Sequence, residues 1–138
     1  MRKLTKIEQA NADALGDVAL FHVTGTILNK NIQDCNVAIR DLLKREDVLD
    51  YAELEPGDKV TLKGVYSDGT ETAISAYRAK TRGDKRIWFN SLKNYANAGD
   101  IMALVIRSGK LVIQNVTRGL AVAGFALPAL DIMARLTF

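Results

Sequence analysis

The stretch "KVTLKGVYSDGTETAISAY", Lys59 to Tyr77, sets the fold class. Two runs rich in β-branched and aromatic residues alternate apolar with polar on either side of Ser67-Asp68-Gly69. That is the signature of a β-hairpin with a tight turn. A second stretch of the same kind, "DIMALVIRSGKLVIQNV" from Asp100 to Val116, turns at Ser108-Gly109. Each hairpin follows a Gly-Asp pair, Gly57-Asp58 in the first and Gly99-Asp100 in the second. This echo reads as short helix, Gly-Asp, strand, glycine turn, strand, repeated to make the two halves of a small pseudo-symmetric barrel. Gly-Asp before a strand is also common turn chemistry.

Working outward, "DVALFHVTG" reads as a strand ending at Gly25, and "RIWF" as a short strand. Residues 4–14 read as an amphipathic helix stopped near Gly16, and "VAIRDLLKREDVLDY" as a helix broken by "EPGD". "NSLKNYANAG" predicts one or two helical turns capped by Asn90 or Ser91. "TILNKNIQDCN" is amide-rich with little periodicity and reads as a loop or irregular arm. The expected organisation is an N-terminal helix over 1–16, a β domain over 17–118, and a helical tail or linker over 119–138.

The chain has 138 residues, 48% of them hydrophobic and 25% charged, with a net charge of +3. That is one ordinary globular domain, large enough for a core without disulfide or metal staples. The single cysteine, Cys35, excludes an intramolecular disulfide and fits a reducing cytoplasm. The N-terminus lacks the apolar core of a signal peptide. Pro128, Asp131 and Arg135 interrupt the apolar tail, against a membrane span. The ending "DIMARLTF" points to a chain cut from a longer protein.

Catalytic equipment is not visible. One histidine, His22, stands in a predicted strand without a second His for zinc or a triad. Neither phosphate-cradling glycine motif occurs. No Asp or Glu precedes a lysine by two positions, as in many Mg-dependent nuclease cores, so this chain alone is expected not to cut DNA.

The charge is concentrated instead. "RAKTRGDKRIW" carries Arg78, Lys80, Arg82, Lys85 and Arg86 against Asp84 alone. Like charges at such density repel and add nothing to a core, though a solvated hairpin tip would also carry them. Tyr77 and Trp88 give the loop apolar footing, and Gly83-Asp84 supplies a turn that projects it. Arginine forks match the O6/N7 edge of guanine, lysines pair with phosphates, and Asp84 could accept from a cytosine amino group or orient Arg82 or Arg86. The stretch "LNKNIQDCN" adds Asn29, Asn31, Gln33 and Asn36, amides able to read adenine. One arginine-rich and one amide-rich arm suit a major-groove reader of a mixed-base site.

At "KTRGDKRI" the sequence resembles the effector-DNA-binding loop of the N-terminal domain of EcoRII-type restriction endonucleases, bacterial relatives of the plant B-three domain. "RIWFNSLKNYANAGDIMALVI" and the closing "GKLVIQNV" follow in similar order, over roughly residues 17–117. The resemblance implies a mainly β fold with short helices, a seven-stranded open pseudobarrel gripping the major groove with two arms. It implies that Lys80, Arg82, Asp84, Lys85 and Arg86 form the C-terminal arm; Arg78 is a further candidate DNA contact from the loop's charge alone. Asn29, Lys30, Asn31, Gln33 and Asp34 fall at the N-terminal arm by order alone. The implied function is sequence-specific recognition of double-stranded DNA for a type II restriction endonuclease. A covalently linked nuclease domain, using Mg²⁺, would then lie outside this chain, and the DNA-binding domain itself would need no cofactor. The alternatives are a stand-alone DNA-binding regulator of the same fold and a protein–protein interaction barrel whose basic loop meets an acidic partner.

Overall fold

A computed structural model of the chain describes residues 1–119. The expected helical tail, 119–138, falls outside them beyond Gly119. Six strands form one sheet: β1 (Ala19–His22), β2 (Lys59–Tyr66), β3 (Glu71–Arg78), β4 (Lys85–Phe89), β5 (Ile101–Arg107) and β6 (Lys110–Asn115). Their spatial order is β1-β5-β6-β2-β3-β4. All neighbours are antiparallel except β2 and β6, which run parallel from Gly64↔Leu111 to Tyr66↔Ile113. Both predicted hairpins form, around positive-φ Gly69 and around Ser108-Gly109. The two Gly-Asp turns carry matching bonds: Asp58 Oδ2 accepts from the amide of Glu55 and Asp100 Oδ2 from that of Asn97, both at 2.9 Å.

The sheet curls into a half-barrel. Phe21 of β1 and Phe89 of β4, at opposite edges, stack with centroids 5.0 Å apart. Seven strands were expected, and six are found among the described residues. The remaining place, between β4 and β1, is taken by the extended segment 33–36. Cys35 donates its amide to the Lys85 carbonyl, and the Ile87 amide donates to the Gln33 carbonyl. Asn36 Nδ2 reaches the Leu20 carbonyl of β1 at 2.9 Å. A helix begins immediately after Asn36, so the segment makes only the single bridge Asp34↔Arg86.

Among the described residues, four short helical pieces besides the N-terminal helix decorate the sheet. The N-terminal helix α1 (Lys6–Leu15) carries a capping box, Thr5 with Glu8, and ends at Gly16 with φ +84°. Next, α2 (Gly25–Lys30) occupies part of the stretch expected to be irregular; Thr24 caps it and Asn31 ends it in the left-handed conformation. Asn36 caps α3 (Val37–Arg45). Single 3-10 turns at Tyr51–Glu53 and Leu92–Asn94 precede β2 and β5; Ser91 stands at the second turn's start without a side-chain cap bond.

Two cores result. Inside the curl, Phe21, Ile39, Leu42, Leu43, Ile74, Ile87, Phe89 and Leu104 are buried with the faces of α3 and the inner strand positions. On the outer side, Ala12 and Leu15 of α1 cover Ile101, Ala103, Val105 and Val112. Helix α1 therefore covers the outer face over β5 and β6. Val65, near the end of β2, joins that outer core, while the rest of the outer face over β2, β3 and β4 carries polar and half-exposed residues.

Candidate nucleic-acid interface

Strand register builds the site. Lys59 of β2 stands beside Tyr77 of β3, Tyr77 beside Arg86 of β4, and Arg86 beside Asp34 of the closing segment. Alternate residues share a face. The next row on the same face is Thr61, Ser75 and Trp88, and the inner rows are Val60-Ala76-Ile87 and Leu62-Ile74-Phe89. Lys59 was not singled out in the sequence, because only the register brings it to Arg86.

The loop between β3 and β4 is ordered by its own backbone. Ala79 donates to the Asp84 carbonyl and Gly83 to the Ala79 carbonyl, at 2.9 and 2.8 Å. Arg78 lies on the inner side of its strand and binds the loop's base: Nε donates to the Gly83 carbonyl and Nη1 to the Leu54 carbonyl, both at 2.8 Å. Gly83 is buried at φ +71°, where a Cβ would lie 2.5 Å from Arg78 Nη2. Arg78, expected among the DNA contacts, thus acts as a strut that lifts Lys80, Thr81 and Arg82 into solvent.

Lys59, Tyr77, Lys80, Arg82, Asp84 and Arg86 line an open cavity of about 510 Å³. Lys80 and Arg82 are exposed. Arg86 is held more firmly: Asp84 Oδ2 is 3.2 Å from its Nη2, its side chain is 25% exposed, and its Nε is buried without a partner. The Tyr51 hydroxyl fixes the Arg86 carbonyl at 2.7 Å, and burial raises that phenol's pKa well above its ordinary range. Of the two roles open to Asp84, orientation of Arg86 matches this geometry. Lys85, next along β4, faces the other way, toward a groove lined by Asp34, Cys35, Arg40 and Gly83.

The amide arm divides. Asn29, Lys30 and Asn31 are exposed at the end of α2. Asn31 lines an open cavity of about 400 Å³ with Leu28, Trp88, Asn90 and Lys93. Asp34 is exposed beside Arg86. Gln33 is not presented: it is 4% exposed on the inner side, with Oε1 unpartnered. Asn36 is occupied as the cap of α3.

No protein-family model matches the chain, and no curated protein matches it. Among solved structures, the N-terminal domain of Helicobacter pylori LlaJI.R1 is similar at 14% identity and a TM-score of 0.45, over 83% of this chain and 98% of that one. This is a weak likeness in fold and carries no weight for function.

Among the described residues, no group of three His, Cys, Asp or Glu side chains could hold a metal, and no helix is long and apolar enough to cross a membrane.

Proposed function

We propose that this chain is a sequence-specific binder of double-stranded DNA that works through the major groove. The observation that carries the reading is the convergence of Lys59, Lys80, Arg82 and Arg86 around one open cavity whose lining holds one carboxylate, Asp84, with Asp34 beside Arg86 at its edge. Cations at this density on a strand edge and an ordered loop, only Arg86 of them ion-paired, create a field suited to a polyanion. Lysine and arginine at the exposed tip, Lys80 and Arg82, neutralise phosphates and set register. Arg86, anchored through its carbonyl and its guanidinium, reads a base edge, guanine by the fit of its fork. Asp84 positions that fork. Asn29, Lys30, Asn31 and Asp34 form the opposite arm. Lys85 contributes from the far side of the loop, to the general field. Gln33 and Arg78 support the arms from within.

The resemblance of "KTRGDKRI" to an effector-DNA-binding loop supports one biological setting, the specificity domain of a type II restriction endonuclease. A linked nuclease domain using Mg²⁺ would then complete the enzyme. Gel shift with a random duplex library separates this reading from an acidic-protein docking surface. DNA reading requires recovery of one enriched duplex motif, whereas a docking barrel binds polyglutamate or heparin as well as DNA and enriches nothing.

A further inference from the structure

On the face that carries Arg86, register places two apolar residues, Ile32 and Trp88, at neighbouring positions. Burial alternates from Ile32 to Asn36 as exposed, buried, exposed, buried, exposed, the two-residue period of an extended chain. Ile32 and Asp34 therefore share the outer side, while Gln33 and Cys35 face inward. Asp34 is level with Arg86, and the Ile87 amide donates to the Gln33 carbonyl. Continuing that antiparallel register by one step sets Ile32 level with Trp88, which follows Arg86 by two on the same face. Left-handed Asn31, φ +54°, is the corner that turns the chain from α2 into this segment. Ile32 is 42% exposed and directly follows Asn31, which walls a cavity together with Trp88, Asn90 and Lys93.

A branched apolar side chain gains little from water, and the major groove offers one apolar group, the C5-methyl of a pyrimidine. Resting on the reading of this face as a duplex-binding surface, we propose that Ile32 and Trp88 form a shelf for a pyrimidine C5-methyl. Arg86 and Asn31 flank the shelf, and the cations Lys59, Lys80 and Arg82 hold the phosphates around it. The occupant is either thymine or 5-methylcytosine, since both present the same methyl group at the same place. Specificity would then combine a charged fork on one base with an apolar contact on a neighbouring one.

The test starts from the duplex that the chain selects from a random library. Each thymine in it is replaced singly by deoxyuridine, which removes only the methyl, and each cytosine by 5-methylcytosine, which adds it. Binding is measured for the unmodified chain, Ile32→Ala and Ile32→Val. At one position, loss of the methyl should weaken binding about fourfold, the worth of one buried methyl group. If that position is a cytosine, adding the methyl should strengthen binding by a similar factor. Ile32→Ala should abolish the effect and Ile32→Val should keep most of it. A selected duplex indifferent to every methyl, or methyl sensitivity unchanged in Ile32→Ala, overturns the shelf alone. If no duplex is selected, the DNA reading falls and the shelf falls with it.

Discussion

Asp84 and Arg86 form an ion pair at 3.2 Å on the same side of the β3–β4 loop, with side chains 41% and 25% exposed. A pair this accessible adds about 0–1 kcal/mol to stability. If the face binds DNA as proposed, its larger consequence is for binding, because the carboxylate aims the guanidinium and offsets its charge. Asp84→Asn should leave the melting temperature nearly unchanged. It should raise affinity for random duplex several-fold while lowering the ratio of selected to random binding. Arg86→Ala should remove about 1–3 kcal/mol of base discrimination, read as relaxed preference at one position. Fluorescence anisotropy with selected and scrambled duplexes measures both.

The exposed cations predict a different signature. Each phosphate neutralised contributes about 0.9 to the log–log slope of affinity against salt. Lys59→Ala, Lys80→Ala and Arg82→Ala should each weaken all duplexes alike and reduce that slope by about one. Lys85→Ala, on the opposite side of β4, should change it less. Titrations between low and moderate salt distinguish the four.

Closure of the half-barrel is testable by the contacts at its seam. Phe89→Ala removes the ring that stacks on Phe21 and should cost about 3–5 kcal/mol in urea unfolding. Cys35 lies in the closing segment, and burial pushes its thiol up to about 11. In the native protein at pH 8 it should react negligibly with a thiol reagent, and Phe89→Ala should accelerate labelling.

Acid should loosen the N-terminal helix first. Glu8 is 1% exposed. A bidentate bond from Arg2 holds its carboxyl well below the usual carboxylate range, against the cost of burial and with help from Thr117 and the Thr5 amide. A folded-state pKa depressed in this way gives stability that is complete above the unfolded value, near 4.3, and is lost as pH falls toward the folded value. Glu8→Gln should lower the melting temperature at pH 7 by several degrees and flatten its fall below about pH 4.5. Thermal melts across pH 2–7 check this.

The hairpins were legible because alternation and glycine turns are local signals, as at Gly69 and Gly109. Helix α1 was legible from its amphipathic spacing and from Gly16. Helix α2 was missed because six residues beginning with glycine give no periodicity; the available signal was Thr24 as a cap followed by "ILNK". The candidate site was legible in charge and only partly in geometry. Lys80, Arg82, Asp84 and Arg86, all within the basic stretch, line one cavity. Lys59 joins them through cross-strand register, which no short window of sequence contains. Gln33 and Asp34 look alike as polar arm residues, yet pairing with β4 sends one inward and the other outward. Arg78 is indistinguishable in sequence from its basic neighbours, and only strand parity turns it toward Leu54 and Gly83.

Reading of base sequence in duplex DNA by the Arg86 face is decided by selection. The chain and its Arg86→Ala variant are each incubated with a random duplex library through successive rounds, and the bound pools are sequenced. The unmodified chain should yield one short enriched motif, with a guanine whose enrichment disappears in the variant. A bound pool as random as the input, or the same motif at full strength from Arg86→Ala, would contradict it.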